Sequence, residues 1–530
     1  MLLIGPYDPH CGEYTFLAPP LGVWRLAGVL NAAGIRAEVF DPNCCVGSPQ
    51  RALERELLRV PWDVIGVSTT GMTLRFDLEL AHLARRLAPS ALMVAGGMEA
   101  TFRPELMFEL GPFDRVVLGE GERPLRELAR RVCARESLSG IAGMAERLAD
   151  GTVRRTAQLA LTQSELRAAI FETPYERMPY RSYWERLERA YSVGALPTKA
   201  AREASLAEIR SVRLITLNYC PMACSFCSAT NFLHEAQGSV VSIARLDAED
   251  CLRMIRRIVA AHPDVRTIIF QDDIFAFTKD RRLLPLCEGI AEAKRVGELP
   301  RELQFISTNR IDAMSVERLT AMRAAGFRVL GFGIESFSLE VLREFNKAHI
   351  YPHIGPMLRA ALDAGITPFL DLILTSPRCQ LSDLAETLRG AHRWLEAGCE
   401  IGMYPYVVPF SGAAFARDAS LAPHTSYVRH QVAGTSIAWE QACKILPIDA
   451  ATRSAILRIE HDFQIALQEL QQHGIHLPSR VRSVVWLLSA LPIMAECGHP
   501  IGDATQLREL LSAWLPRRQR PGARAAMAYA

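Results

Sequence analysis

The chain lacks a strong charge of either sign. Among its 530 residues, 60 Lys and Arg stand against 58 Asp and Glu, a formal charge of +2, which is too little for a nucleic-acid footprint spread over the molecule. It also lacks a membrane-spanning run. The longest strongly apolar stretch, Ser483 to Ala495, is broken by Pro492 and falls short of the roughly 18 residues a crossing needs. The opening Met1-Leu2-Leu3-Ile4-Gly5 has no cationic segment, long apolar stretch or small-residue cleavage site. No export signal is therefore predicted, and a cytoplasmic location is expected. In a reducing compartment the 13 cysteines read as buried thiols or metal ligands rather than disulfides.

What is present is a globular composition. Apolar residues make up 49% and charged residues 22%, with a mean hydropathy of +0.07, which excludes a disordered chain. The length allows about three or four domains. Any partner is expected to be a small molecule or a locally docked protein.

Residues 1–148 alternate short β-rich runs (Leu2 to Gly5, Ala37 to Phe40, Val64 to Ser68, Leu92 to Ala95, Val116 to Leu118) with amphipathic helical ones. Val23, Leu26, Ala27 and Leu30 recur at helical spacing, as do Leu80, Leu83, Ala84 and Leu87. This predicts a parallel α/β domain. Its ligand crevice should lie beyond the strand ends, at Ser68-Thr69-Thr70, Gly96-Gly97 and Gly119-Glu120-Gly121-Glu122. Residues 149–210 read as a charged connector packed over a neighbour. Residues 211–415 hold a second series, with strands near Val212 to Leu217, Thr267 to Phe270, Gln304 to Ser307, Val329 to Ile334, Phe369 to Leu374 and Gly402 to Val407. Six such units predict a partial (βα)6 barrel with its active site at the C-terminal strand ends. Residues 416–530 read as a helical region with a basic, solvated tail containing Arg517, Arg518, Arg520 and Arg524.

The sharpest signal is Cys220-Pro221-Met222-Ala223-Cys224-Ser225-Phe226-Cys227, three thiols spaced CxxxCxxC just after the first strand of the second series. One loop can turn three thiolates toward a common point. Three ligands rather than four leave one iron of an iron-sulfur cluster open to a substrate or cofactor. The alternatives are unrelated buried cysteines, or a zinc site completed by His234.

With that motif the sequence resembles the radical S-adenosylmethionine (SAM) superfamily, in which three cysteines hold a [4Fe-4S] cluster and SAM chelates the open iron. The resemblance extends to the aromatic Phe226 before the third cysteine, and to Phe270-Gln271-Asp272-Asp273-Ile274-Phe275 near the SAM amino group. It also covers Arg310 after the third strand and Gly333-Ile334-Glu335-Ser336 at the end of the fourth. The alternatives are a helix cap for Asp272 and Asp273, a surface ion pair for Glu335 and a solvated loop for Arg310. Upstream, Ala18-Pro19-Pro20-Leu21-Gly22 and the glycine loops are similar to the cobalamin-binding domain that precedes the barrel in one branch of the superfamily. That resemblance covers about residues 1 to 415. It implies cobalamin contacts at Ser68, Thr69, Thr70, Gly96, Gly97, Glu120 and Gly121. Asp8-Pro9-His10-Cys11-Gly12 is one residue short of the cobalt-ligating DxHxxG pattern, so His10 is expected to be a loop residue.

The resemblance implies an enzyme that makes a 5'-deoxyadenosyl radical and methylates an unactivated carbon of a small-molecule biosynthetic intermediate. Its cofactors would be the cluster, SAM and cobalamin, and an external donor such as flavodoxin or ferredoxin would supply electrons. The alternative on the same architecture is radical rearrangement, cyclisation or transfer of another part of SAM. A non-catalytic cobalamin or metal sensor is the rival from outside enzymology.

Overall fold

The structure is a computed structural model that describes residues 1–9, 18–196, 198–237, 243–432, 434–438, 442–472 and 479–514. His10, Cys11 and the basic tail lie outside the described residues. The first sheet contains β1 (Leu2–Ile4), β2 (Glu38–Phe40), β3 (Val64–Ser68), β4 (Leu92–Gly96), β5 (Arg115–Val117), β6 (Met144–Arg147) and β7 (Val153–Thr156), in the order β2-β1-β3-β4-β5-β6-β7. The first five strands pair in parallel, as their β-rich runs separated by helical ones predict. The antiparallel pairs β5–β6 and β6–β7 were not anticipated. Arg154 and Arg155 in β7 read as charged connector, yet the sheet edge accommodates them because an edge strand keeps its outer side in water.

Helices cover both faces of this sheet, so its strands are apolar on both sides. Leu2, Ile4, Ile65 and Val67 join one core, whereas Leu3, Val64, Val94 and Val117 join the core on the other face. Helix Leu21–Ala32 buries Val23, Ala27 and Leu30 against the second of these.

The second sheet is wholly parallel, running β8 (Ser211–Leu214), β9 (Thr267–Phe270), β10 (Gln304–Asn309), β11 (Phe327–Glu335), β12 (Thr367–Ile373) and β13 (Glu400–Tyr404) in sequence order. Along β12, Pro368, Leu370 and Leu372 are buried under helices, while Phe369, Asp371 and Ile373 face the half-open inner side. After β13 come four short strands, Thr425–Ser426, Arg429–Val432, Thr435–Ala438 and Lys444–Ile445, in two antiparallel pairs that the sequence pattern did not reveal. Helices Ala450–Gln472, Ser479–Glu496 and Thr505–Trp514 follow. Ser483 Oγ of the middle helix donates to the carbonyl of Ile401, so that helix is tied to the edge strand β13. No helix among the described residues is long and apolar enough to cross a membrane.

Candidate active site

The loop after β8 carries Cys220, Cys224 and Cys227, all partly buried. The amide of Cys227 donates to the Cys224 carbonyl at 3.1 Å, which folds the loop back on itself. Asn346 Nδ2 donates to Ala223 O at 2.9 Å, and the Phe226 ring packs edge-on against Phe345, with 5.0 Å between centroids. The aromatic before the third cysteine therefore clamps the loop to the segment after β11. Burial pushes the Cys220 thiol up to about 12 and the Cys227 thiol up to about 11, and raises Cys224. Each of the three thiols lies within electrostatic range of another of the set. Among the described residues no three His, Cys, Asp or Glu side chains stand at single-ion spacing. His234, the candidate fourth zinc ligand, has its Nε2 2.9 Å from the Tyr219 hydroxyl. A donor set of three thiols on one loop fits an iron-sulfur cluster, in which each thiolate takes a separate iron.

The remaining residues of the barrel mouth fall into two groups. Asp272 is buried, and its carboxylate is occupied by the amides of Thr216 (2.6 Å) and Leu217 (2.9 Å) and by the Thr216 hydroxyl. Burial raises it to about 6. Its carboxylate joins β8 to β9 rather than offering itself to a ligand. Ser336 is likewise turned inward, with its hydroxyl 2.6 Å from that of Thr387 and accepting from Ser338 N. Arg310 pairs with Asp312 at its own turn and touches Met222 of the cysteine loop.

Asp273 and Glu335 remain available. Asp273 opens onto the cavity described below, makes no hydrogen bond among the described residues, and is pushed up by burial. Glu335 ends β11 in the left-handed region at φ 63°, where a β-bulge shifts the β11–β12 register. Its Oε1 is 2.9 Å from Lys347 Nζ, which also donates to Gly333 O at 2.7 Å. A Cβ on Gly333 would stand 2.6 Å from Glu335 Oε1 and 3.1 Å from Lys347 Nζ, so a side chain there would push this pair aside. Lys347 and Asp371 were both missed from sequence. Burial alone would lower the Lys347 ammonium, but Glu335 and Cys224 outweigh it and hold it above its ordinary value. Burial and Glu335 raise Asp371 to about 7. An acid within the apolar run Phe369-Leu370-Asp371-Leu372-Ile373 was the available sequence signal.

A cavity of about 510 Å³ runs from the strand ends of the first sheet to the cysteine loop. Ser68, Gly96, Gly97, Glu120 and Gly121 line it on one side, and Asn218, Tyr219, Gln271 and Asp273 on the other. Thr69 and Thr70 do not line it. Thr69 N and Oγ1 both bind Gly96 O, at 2.7 and 3.0 Å, and Thr70 Oγ1 lies 2.9 Å from Thr73 Oγ1. These two threonines shape the loop rather than the crevice. Gly97 has φ 98°, and a Cβ there would meet Thr69 O at 2.5 Å. Glu120 accepts from Leu161 N at 2.7 Å, and burial beside Glu122 raises it to about 7. The inner end, walled by Leu3, Val94, Val117 and Leu125, is apolar. Glycines at the rim and apolar walls would fit a bulky cofactor with an apolar part.

Comparison with known proteins agrees with this layout. Residues 9–129 match the B12 binding domain family, and residues 214–390 match the radical SAM superfamily. An uncharacterized methyltransferase of Pyrococcus horikoshii is 25% identical over 337 residues, covering 62% of this chain, and the match spans 63% of that relative's length. The anaerobic magnesium-protoporphyrin IX monomethyl ester cyclase of Rubrivivax gelatinosus is 23% identical over 422 residues, covering 78% of this chain and 68% of the cyclase. The cobalamin-dependent SAM radical enzyme OxsB with aqua-cobalamin bound shares the fold, with a TM-score of 0.69 at 15% identity over 100% of this chain and 79% of OxsB. The radical SAM methyltransferase TsrM from Kitasatospora setae gives a TM-score of 0.60 at 17% identity over 80% of this chain and 76% of TsrM. With a B12-binding sheet, a radical SAM sheet and a cavity opening onto both, the chain is a radical SAM enzyme with a B12-binding domain, and its cofactors are a [4Fe-4S] cluster, SAM and cobalamin.

Proposed function

We propose that the protein is a cobalamin-dependent radical SAM methyltransferase acting on an unactivated carbon of a small-molecule biosynthetic intermediate. When bound, the cluster and SAM supply a 5'-deoxyadenosyl radical and cobalamin supplies a methyl group. The observation that carries the reading is the single cavity lined by both Gly96-Gly97 and Tyr219, because it opens the cobalamin crevice toward the cysteine loop. Cys220, Cys224 and Cys227 hold the cluster. Asp273, Glu335 and Lys347 bind the charged groups of SAM, while Ser68, Gly96, Gly97, Glu120 and Gly121 hold cobalamin. The buried walls keep water from the reacting centre. An external flavodoxin or ferredoxin delivers the electron.

The test is turnover with SAM labelled in its methyl group. Methylation requires one labelled methyl in the product, with 5'-deoxyadenosine and S-adenosylhomocysteine released in comparable amounts, because the two SAM cleavages break different bonds to sulfur. Deoxyadenosine without S-adenosylhomocysteine would overturn the reading. It would favour radical cyclisation or rearrangement, which the cyclase relative supports by covering more of this chain than the methyltransferase does.

A further inference from the structure

A loop that carries iron and a strand end that carries Glu335 must be held at a fixed spacing if one SAM molecule is to reach both. The connection is the turn after helix Leu339–Glu344. That helix ends on Phe345 and Asn346, and Asn346 lies in the left-handed region at φ 57°. Its amide donates to Arg343 O at 3.1 Å, and the next amide, of Lys347, reaches back to Leu342 O at 2.7 Å. These two bonds close a Schellman turn, whose left-handed position is usually glycine and sometimes asparagine. Here the asparagine side chain is in use: its Nδ2 donates at 2.9 Å to Ala223 O, between Cys220 and Cys224.

The neighbours of Asn346 divide between the two parts of the site. Before it, Glu344 O accepts from Ser225 Oγ at 2.8 Å, Phe345 O accepts from Ser225 N at 3.2 Å, and the Phe345 ring meets that of Phe226. Ser225 and Phe226 stand between Cys224 and Cys227. After it, Lys347 Nζ donates to Gly333 O at 2.7 Å and to Glu335 Oε1 at 2.9 Å, and lies 5.9 Å from the centre of the Phe226 ring. Four consecutive residues thus touch the cysteine loop at three places and the end of β11 at two. The turn is itself tied down, because the Glu344 carboxylate accepts from Arg378 N, beyond β12, at 3.3 Å.

We propose that Asn346 is a positioning residue for SAM: it locks the cysteine loop to the Glu335–Lys347 pair, so that the open iron and the pair meet one SAM molecule at a fixed distance. The gain is one of orientation, since two attachment points held in register make the second contact intramolecular. Glycine would serve a helix stop alone as well or better. The inference rests on Cys220, Cys224 and Cys227 holding the cluster and on Glu335 and Lys347 binding SAM, and it adds a role that neither assignment contains.

The test separates the helix stop from the side chain. Asn346→Gly keeps the left-handed turn and removes the bond to Ala223, whereas Asn346→Asp keeps size and turn but sets an acceptor against the Ala223 carbonyl. After anaerobic reconstitution both should hold wild-type amounts of iron and sulfide, and Asn346→Gly should melt at or above the wild-type temperature. Equilibrium dialysis without reductant, so that SAM is not cleaved, should show SAM binding weakened roughly two- to tenfold in Asn346→Gly, the range for one exposed hydrogen bond, and further in Asn346→Asp. The spin-resonance spectrum of the reduced cluster should match wild type without SAM and differ from it once SAM is added. Equal SAM affinity and equal spectra in Asn346→Gly and wild type overturn the proposal, as does a lower melting temperature with unchanged SAM affinity, which would leave Asn346 a helix stop only. Loss of iron from Asn346→Gly also overturns it, because the residue would then serve cluster assembly. If the iron-loaded wild type itself fails to bind SAM, the assignment of the site falls and this inference with it, an outcome read on the wild type alone.

Discussion

Lys347 and Glu335 lie 2.9 Å apart at the mouth of the second sheet, with side chains only 14% and 10% exposed. Each depends on the other, because burying one without its partner leaves an uncompensated charge. Lys347→Met should destabilise the cofactor-free protein by about 3 kcal/mol, the low end for a broken buried pair. The double variant Lys347→Met/Glu335→Gln should recover part of that loss, as a thermal double-mutant cycle would measure. Both proteins should require more SAM for half-maximal deoxyadenosine formation.

The two adjacent aspartates should separate by role. Asp272→Asn should leave SAM binding near wild type and alter stability, whereas Asp273→Asn should weaken SAM binding with little effect on melting. Equilibrium dialysis with SAM and thermal melting of the same preparations give both readings.

Asp272 also sets a pH dependence. Its folded value of about 6 lies above the ordinary 3.8, so the folded state binds its proton more tightly than the unfolded state does. That contribution is fully present below about pH 4 and is lost as pH rises through 6. Asp41, raised by burial to about 6, acts in the same direction. Urea melts of cofactor-free protein between pH 4 and 7 should show this slope, and Asp272→Asn should reduce it.

Neighbouring glycines should differ as well. A Cβ at Gly96 meets only Val117, at 3.8 Å, whereas at Gly97 it meets Thr69 O at 2.5 Å in a backbone with φ 98°. Gly96→Ala should fold and bind cobalamin somewhat less tightly. Gly97→Ala should cost about 1 to 3 kcal/mol through backbone strain and lose cobalamin while the protein still takes up iron. Absorbance of bound cobalamin and iron analysis distinguish the two.

For the cluster, Cys220→Ala, Cys224→Ala and Cys227→Ala should each abolish SAM cleavage. Cys44→Ala and Cys45→Ala should retain it, since those thiols lie beside Asp41 at the end of β2. Iron and sulfide analysis after anaerobic reconstitution checks each variant.

The parallel strands were legible because β-branched and apolar runs of strand length alternate with helical spacing, as Val64 to Ser68 and Leu80 to Leu87 illustrate. Strands β6 and β7 were not, because Arg154 and Arg155 suit an exposed sheet edge as readily as a linker, and the charge of Glu146 hides that it is buried and paired with Arg154 across the two strands. At the site, residue type was legible but direction was not. Thr69, Thr70, Asp272 and Ser336 have the chemistry of ligands, and each spends it on the protein's own backbone or hydroxyls. Lys347 belongs to no motif. It matters only because the bulge at Glu335 brings a residue twelve positions earlier within reach of its ammonium.

Helix Ala229–Gln237 begins two residues after Cys227 and is held on both sides. Phe232 meets Phe102 of the first domain edge-on at 6.3 Å, and Glu235 pairs with Arg155 and with Arg417 beyond β13. The turn at Gly119 approaches so closely that a Cβ there would stand 2.6 Å from Ala236. Anyone building chimeras from relatives of this protein should therefore not cut between the domains at the connector alone. A transplanted N-terminal half must bring a helix 229–237 whose surface was shaped to it, because that helix is the fitted joint between the halves.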